Sequence, residues 1–427
     1  MPGLWTVARY GSPGFTLAFA ALPLYLLTPA LYAEQLGLSL GAVGIVLMLT
    51  RLTDAIADPI IGRWMDQHST GLWQWLWLGL AVMAIGLSLL VNPPAWLHEA
   101  SPSGGLMLLW MGLCALIVSL ANSVATLAHQ SWAVAWTAEL RSQSRLIAAR
   151  EFWALIGVIV AAVIAAQRSG VAMGITAIAS AALALALAYG LRAHGAQTRR
   201  HRSGTVAPVG WRAMLAFPEF RTLLSAFSVN ALANAIPATL VLFFLSDVLG
   251  ASRDQSSLLL ALYFLAAALS VAFWSWLAQR WGALQTWRVA MGMAIVAFIW
   301  ALGLSYGDLT SFTIICLLTG FALGAELVCP PVLLGQIITH NGHRGQLESS
   351  YFGLWNLVIK LALAAAAGLT LPALTLLDYT PGQSSPNAEG ALALQWVYAG
   401  IPCALKMFSL LWLGTSSLSD LSRKDLQ

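Results

Sequence analysis

Long apolar stretches separated by short polar segments are the feature that most constrains the fold of this chain. A helix needs about 20 apolar residues to cross the hydrocarbon core of a bilayer. Lipid offers no hydrogen-bond partner to the backbone, so each such stretch is expected to be helical. The sequence therefore predicts an all-α polytopic membrane protein with twelve transmembrane helices. The twelve stretches are 12–34, 40–65, 72–92, 105–136, 144–166, 170–192, 219–246, 255–279, 286–306, 310–338, 347–372 and 391–415.

The low content of charged residues supports a membrane protein and excludes other classes. Charged residues make up 9% of the chain and hydrophobic residues 59%, whereas soluble domains carry about a quarter charged residues. The net charge of +4 is small and the basic residues cluster in loops, which argues against a nucleic-acid partner. The sequence has no Ser/His/Asp constellation and no phosphate-binding glycine loop. We therefore expect neither an enzyme nor an ATP-driven pump, and no cofactor.

The distribution of Lys and Arg predicts the orientation in the membrane. An even number of spans places both termini on one side. With the termini inside, fifteen basic residues fall in inner segments and two, Arg168 and Arg253, fall in outer segments. Inner loops of membrane proteins are enriched in basic residues. We therefore expect cytoplasmic termini and a multi-pass protein of a bacterial inner membrane.

The longest basic loop divides the chain into two sets of six spans. This loop contains the run Thr198-Arg-Arg-His-Arg202. It predicts a six-helix bundle over residues 1–194, a cytoplasmic loop over 195–215 and a second six-helix bundle over 216–427. Two six-helix bundles around a site at the middle of the membrane are the architecture of major facilitator transporters. This step is an analogy at the level of the fold.

The segment from Arg51 to Gly62 in the second span carries three ionisable side chains, Arg51, Asp54 and Asp58. At about 100° per residue they lie within about 60° of one helix face, so all three are expected to face one cavity. A charge inside the bilayer costs a few kcal/mol or more and usually marks an ion or substrate pathway. Two carboxylates suit Na⁺, and a shared proton would also relieve their repulsion. The alternative is structural: Asp58-Pro59 and Asp66 would form a helix-end motif, with Arg51 neutralising Asp54.

Lys360 and Asn356 lie one turn apart on a common face of the eleventh span. Only Ala, Leu, Gly and Thr follow Lys360 as far as Pro372, so its ammonium group needs a partner from another helix. We expect a carboxylate of the second span to supply that partner. The alternative is a lysine that extends its amine to the lipid head groups.

Three further candidates lie in the fourth and fifth spans. His129 could sense protons, donate to a substrate or complete the cation site, or it is a packing residue. Trp132 either stacks on the substrate or fills space. Arg150 either reaches the cavity or pairs with Glu139 as an inner gate. All three are therefore candidates for substrate binding or coupling.

Asn234 and Glu326 are the candidates in the second half of the chain. Asn230 and Asn234 share a face just before Pro237, where they line either a cavity or a helix contact. Glu326 lies one turn before the pair Pro330-Pro331. It is either a second acidic site or a partner for backbone groups that the prolines release.

The second span resembles the signature of a known family. The glycoside–pentoside–hexuronide:cation symporters have a similar span-two sequence, and the similarity extends over essentially the whole chain. The residues that carry the resemblance are Arg51-Leu-Thr-Asp54-Ala-Ile-Ala-Asp58-Pro59-Ile-Ile-Gly62 with Asp66, Tyr10-Gly11, Gly37-Leu-Ser39 and Lys360.

The resemblance implies a major facilitator fold and a role for each matching residue. It implies that Asp54 and Asp58 bind the coupling ion, which is Na⁺, Li⁺ or H⁺, and that Lys360 lies close to that site. It also implies that Arg150 and Trp132 approach the substrate. We therefore predict a cation-coupled symporter of a small organic solute, a sugar or glycoside by resemblance.

The sequence departs from the sugar-transporting pattern at two positions. Ala18 stands where that pattern has a substrate-binding carboxylate, and Ala128 or His129 stands in place of an aspartate. The same superfamily branch contains sodium-dependent lysophospholipid symporters, so a lipid or lysolipid is the alternative substrate. A non-transporting membrane scaffold or sensor is a third alternative. The expected partners are the small-molecule substrate and membrane lipids, and the protein is expected to be a monomer.

Overall fold

The chain is helical, without strands, throughout the part that the structure describes. A computed structural model describes residues 2–68, 70–97, 104–167, 169–192, 211–377, 379, 388–415 and 418. Its contacts divide the chain into two units. The first unit comprises Met1–Pro208 with Ile338–Leu357, and the second comprises Val209–Ile337 with Val358–Gln427.

In the residues that the structure describes, the first unit has seven α-helices before residue 193. Helices α4 and α5 pack on each other, α7 packs on α4, α6 packs on α2, and α3 packs on α5. The bounds are α1 Leu4–Gly11, α2 Pro13–Leu22, α3 Leu40–Gln67, α4 Leu72–Val91, α5 Gly105–Trp136, α6 Leu140–Ala166 and α7 Gly170–Tyr189.

The second unit begins with a short helix and continues through long ones. Helix α9 packs on α15, and α11 packs on both α10 and α15. Helices α12 and α13 each cross the boundary between the units. The bounds are α8 Trp211–Met214, α9 Pro218–Phe243, α10 Arg253–Trp281, α11 Ala283–Phe298, α12 Leu309–His340, α13 Glu348–Leu376, α14 Ala388–Gln395 and α15 Ile401–Gly414.

Eleven helices in the described residues are long and apolar enough to cross a membrane. They match the second to twelfth predicted spans. The first predicted span, 12–34, is instead built from α2 and two π-helical segments, Pro23–Leu27 and Ala30–Gln35. Proline lacks the N–H that continues a helical ladder, and Pro23 and Pro29 accompany these changes of pitch. The polytopic all-α prediction is confirmed, whereas the count of twelve and the cytoplasmic termini stay predictions.

The predicted domain boundary falls largely outside the described residues. Most of the loop predicted at 195–215 lies within residues 193–210, which the structure does not describe. Residues 419–427, at the C-terminal end of the second predicted bundle, are not described either. The predicted bundles 1–194 and 216–427 therefore stay predictions.

Glycine allows α3 and the start of α13 to meet backbone to backbone. A Cβ atom at Gly62 would overlap the carbonyl oxygen of Ser349. A Cβ atom at Gly353 would lie 2.7 Å from the carbonyl oxygen of Asp58. Small residues permit this close approach between membrane helices. The contact holds the acidic part of α3 against the first turns of α13, within the first unit.

Asp66, near the end of α3, caps the N-terminus of α13. Its two carboxylate oxygens accept hydrogen bonds from the backbone N–H groups of Ser349, at 3.2 Å, and Ser350, at 2.7 Å. The first four N–H groups of a helix lack intrahelical partners, and the positive end of the helix dipole favours an anion there. Asp66 is 8% exposed. This cap joins the two helices beside the glycine contact, near the C-terminal end of α3.

Replacing Asp66 by Ala is expected to lower stability by about 1–2 kcal/mol, because two buried N–H groups lose their acceptor. The shift is measured as the change in thermal unfolding of the purified protein, followed by tryptophan fluorescence. Asp254→Ala is the matched control, since Asp254 is an exposed aspartate in the first turn of α10. Equal shifts for the two variants would contradict a capping role for Asp66.

Candidate functional site

Helix α3 separates a lipid-facing stripe from a buried acidic face. Leu52, Ile56 and Ile60 are four residues apart and each is more than half exposed. Asp54 and Asp58 lie on a different face and are 5% and 0% exposed. Two carboxylates are thus withdrawn from lipid one turn apart, as the cation-site prediction requires. Arg51, predicted to share their face, is exposed.

Asp54 has a hydroxyl neighbour from α5. The Ser123 hydroxyl donates to Asp54 Oδ1 at 2.7 Å, and Ser123 is itself buried. A hydroxyl oxygen is a neutral ligand that a Na⁺ ion bound to carboxylates can also use. Among the described residues, no group of three or more His, Cys, Asp or Glu side chains is placed to hold a metal ion.

His129 and Trp132 are fully buried within an aromatic cluster of the first unit. His129 Nε2 lies 2.8 Å from the carbonyl oxygen of Tyr10, and the Tyr10 hydroxyl donates to the carbonyl of His129 at 2.5 Å. The Trp132 ring packs against Tyr10, Trp73 and Trp136, with ring centroids 5.5 to 5.9 Å apart. Both side chains are 0% exposed. These contacts join α1 to α5, and a role of His129 and Trp132 in substrate binding or coupling stays a prediction.

Arg150 and Asn356 each bind a polar neighbour in the first unit. The Arg150 guanidinium pairs with Glu151, the next residue on α6, while Glu139, its predicted gate partner, accepts a hydrogen bond from Ser142. Asn356 exchanges amide hydrogen bonds with Gln130 of α5, at 3.0 and 3.3 Å. The Asn356 pair ties α13 to α5. Lys360 is half-buried on α13 in the second unit.

A closed polar network lies inside the second unit. Lys406 of α15 is salt-bridged to Glu326 of α12, with Nζ and Oε1 2.5 Å apart. The ammonium group also donates to the side-chain oxygens of Asn230 and Asn234 on α9, at 2.9 Å each. The two amides in turn donate to Glu326 Oε2, Asn230 at 3.1 Å. Four polar side chains from three helices thus satisfy one another.

This network forms part of the wall of an apolar cavity of about 370 Å³. Lys406, Glu326 and Asn234 are its charged and amide-bearing residues. The hydroxyls of Thr239 and Thr319, also in the wall, donate to carbonyls of their own helices. The cavity volume falls within the range of small-molecule pockets, which are mostly apolar with a few convergent polar groups. Its apolar and aromatic lining includes Leu242, Leu260, Phe264, Phe298, Phe312 and Tyr398.

Sequence reasoning found Asn234 and Glu326 but missed Lys406. The signal was present: Lys406 lies in the apolar run Cys403-Ala-Leu-Lys-Met-Phe408 within the last span. A lysine 7% exposed inside a membrane helix needs an anion, and Glu326 was the carboxylate still unassigned.

The curated relatives that the chain matches transport lipids. It is 21% identical over 231 residues to the "Sphingosine-1-phosphate transporter MFSD2B" of Xenopus tropicalis, covering 53% of this chain and 44% of that protein. It is 22% identical over 220 residues to the "Sodium-dependent lysophosphatidylcholine symporter 1" of the same organism, covering 50% and 41%. The matched region is therefore less than half the length of either relative.

Solved structures and a family model cover nearly the whole chain. A bacterial homologue of the iron transporter ferroportin, in an outward-facing state, superposes with a TM-score of 0.67. It shares 15% identity, over 96% of this chain and 98% of that one, which shows the fold. A family model described as "MFS/sugar transport protein" matches residues 9–420. The chain therefore belongs to the MFS/sugar transport protein family and has the major facilitator fold.

Proposed function

We propose that the protein is a secondary active transporter that carries an amphipathic solute, a lipid or lysolipid, together with Na⁺ or H⁺. The observation that carries this proposal is the cavity of the second unit, which is apolar over most of its wall and polar in one place. An acyl chain gains about 25 cal/mol for each Å² of apolar surface that it removes from water. The similarity to a sphingosine-1-phosphate transporter and a lysophosphatidylcholine symporter supports the same substrate class.

A sugar fits this cavity less well than an amphiphile. Each buried hydroxyl without a hydrogen-bond partner costs about 1–3 kcal/mol. The threonine hydroxyls of the wall donate to their own helices, and Asn234, Glu326 and Lys406 bind one another. A sugar carries several hydroxyls, and only this network and the hydroxyls of Tyr263 and Tyr398 are at hand to satisfy them, whereas an amphiphile presents a single polar head group. The sugar or glycoside substrate is nevertheless the second candidate, because the description of the matching family names sugar transport.

Asp54 and Asp58 are proposed to bind the coupling cation. Both carboxylates are withdrawn from lipid on one face of α3, and Ser123 adds a hydroxyl oxygen beside Asp54. A cation there would neutralise two buried negative charges that lie one helical turn apart. A transporter exploits this when the ion binds one conformation better than the other, which shifts the population between them.

Reconstituted protein separates these alternatives. A fluorescent lysophosphatidylcholine or a panel of radiolabelled glycosides is added to the outside of proteoliposomes. Its movement inward is measured under a Na⁺ gradient, a pH gradient or no gradient. We expect gradient-dependent movement of the lysolipid and little movement of the glycosides. Protein-free vesicles under the same gradients measure spontaneous lysolipid transfer. Glycoside uptake without lysolipid movement would overturn the amphipathic substrate, and no movement of either solute under any gradient would favour the scaffold or sensor.

The predicted location has two parts, a multi-pass insertion in a membrane and the kind of membrane. The chain is a multi-pass membrane protein, with eleven candidate spans among its described residues. A bacterial inner membrane and a monomeric state stay predictions, and the curated relatives named above are from Xenopus tropicalis.

A further inference from the structure

The second unit contains a buried ion pair, Lys406 and Glu326, that is not part of the proposed cation site. All three N–H bonds of the Lys406 ammonium group are engaged, by Glu326, Asn230 and Asn234. Glu326 accepts from Lys406 on one oxygen and from the two amides on the other. The geometry is that of a cation with a carboxylate already docked on it.

Both members of the pair line a cavity, which distinguishes them from a sealed structural ion pair. Lys406, Glu326 and Asn234 all contribute to the cavity wall, whereas Asn230 is 1% exposed. Removing an ion from water costs several kcal/mol, so a buried pair contributes little net stability compared with apolar residues of similar size. An ion pair that contributes little net stability and faces an apolar cavity is well placed to bind a ligand.

We propose that Lys406 binds the anionic head group of the amphiphile, a phosphate or a carboxylate, and that Glu326 is the carboxylate which this head group displaces. This inference rests on the proposed function, because it assigns the head-group position of the same substrate. The apolar wall formed by residues such as Leu242, Phe264 and Phe298 would receive the hydrocarbon chain.

Displacement is coupled to uptake of one proton. A Glu326 carboxylate separated from Lys406 would be a buried, unneutralised charge, which is strongly unfavourable. Water that enters with the substrate delivers a proton from the bulk solution. This proton binds a Glu326 oxygen and removes that charge. With a singly charged head group, the site then changes from one cation and one carboxylate to one cation, one head-group anion and one neutral acid, so its net charge stays zero.

The proton goes to Glu326 because this is the carboxylate that the head group separates from its cation. The ionised group facing it is Lys406 on α15. The other titratable groups that interact with the pair are Tyr263 of α10, Cys329 of α12 and Cys403 of α15. Phenols and thiols ordinarily titrate near pH 10 and 8.5, so these groups are already protonated at pH 7.

Calorimetry of the purified full-length protein in lipid nanodiscs tests the proposal. The probes are dodecyl phosphate, dodecanoate, the uncharged dodecylglycerol, and inorganic phosphate. Titrations in two buffers with different ionisation enthalpies give the number of protons taken up per ligand. For the wild-type protein we expect dodecyl phosphate to bind about tenfold or more tighter than dodecylglycerol, with uptake of about one proton.

Three variants assign the effect to the pair. In Glu326→Gln, which leaves Lys406 without a competing carboxylate, we expect tighter binding of dodecyl phosphate and no proton uptake. In Lys406→Gln, and in the double variant Glu326→Gln/Lys406→Gln, the preference for the anionic probes should disappear. The double variant keeps the test valid if Lys406→Gln alone does not fold. Arg253→Gln, at an exposed position of α10, is the control for loss of a positive charge.

The outcomes separate this inference from the function that it extends. Equal binding of dodecyl phosphate and dodecylglycerol, unchanged in the Lys406 variants, would overturn the head-group site and leave the amphipathic substrate intact. Inorganic phosphate bound as tightly as dodecyl phosphate would also overturn it, since the ligand would then be a free anion. Failure of every twelve-carbon probe to bind would overturn both proposals.

Discussion

Replacing Asp58 by Asn is expected to reduce cation-driven accumulation of the substrate by at least about tenfold. Asp58 is fully buried on the acidic face of α3. An amide has nearly the shape of the carboxylate but carries no negative charge and does not take up a proton near neutral pH. The variant therefore loses the attraction for Na⁺ and the titratable site for H⁺ alike, whichever ion couples transport.

The companion variant Asp54→Asn separates loss of function from loss of fold. The amide oxygen of an asparagine at 54 can still accept the hydrogen bond from the Ser123 hydroxyl, so the contact between α3 and α5 is preserved. Uptake into proteoliposomes is measured with and without the cation gradient, and Asp254→Asn serves as the exposed control. If both Asp54→Asn and Asp58→Asn retained gradient-driven accumulation, the cation-site proposal would be wrong.

Replacing Lys406 by Met is expected to destabilise the protein by about 3–5 kcal/mol, because it leaves Glu326 buried without its cation. The side chains of Lys406 and Glu326 are 9% and 6% exposed, so solvent offers little compensation. Asn230 and Asn234 would also each lose the ammonium hydrogen bond that their side-chain oxygens accept. The measurement is thermal unfolding of the purified protein, for which the 19 tryptophans supply the signal.

The double variant Glu326→Gln/Lys406→Met is expected to recover most of this loss. Replacing a whole buried ion pair by neutral residues is often neutral or stabilising, whereas removing one partner is not. The glutamine can donate to an asparagine oxygen that Lys406 has left. Arg253→Gln is the control for the loss of an exposed positive charge. A double variant no more stable than Lys406→Met would contradict the view that an unpaired carboxylate causes the loss.

Hydrophobicity predicted the helices well because membrane helices must satisfy their backbone internally. Eleven of the twelve predicted spans match helices in the described residues that are long and apolar enough to cross a membrane. The first predicted span is helical too, and its pitch changes at Pro23–Leu27 and Ala30–Gln35, as the pitch of the seventh span does at Phe244–Val248. Apolar length alone does not reveal a change of helical pitch, although Pro23 and Pro29 marked the place. The prediction that the chain is not an enzyme is confirmed by its membership in a transporter family.

The burial of most candidate residues could be predicted from the sequence, but the residues that they bind could not. Helical periodicity correctly placed Asn230 and Asn234 on one face, and both bind Glu326. The same periodicity could not tell that His129 would bond to the Tyr10 backbone, or that Arg150 would pair with Glu151. The partner of a side chain on another helix depends on how the helices pack against each other. The spacing of residues along one helix does not give that packing.

Assignment of a specific subfamily also exceeds what the span-two signature provides. The chain belongs to the MFS/sugar transport protein family, while membership among the glycoside–pentoside–hexuronide:cation symporters stays a prediction. The residues of that signature fold into a buried acidic face and a helix cap. Their roles in ion binding stay a prediction for the asparagine variants to test.

The two glycine contacts between α3 and α13 have a mechanical consequence. Because Gly62 lies against the Ser349 carbonyl and Gly353 against the Asp58 carbonyl, backbone meets backbone at both points. Two helices that meet through backbone atoms at glycines can separate at those points without a side chain being withdrawn from the neighbouring helix. A gap of one water diameter there would hydrate the neighbourhood of Asp58, so the proposed ion, by preferring the dry carboxylate, would favour the state in which the two helices touch.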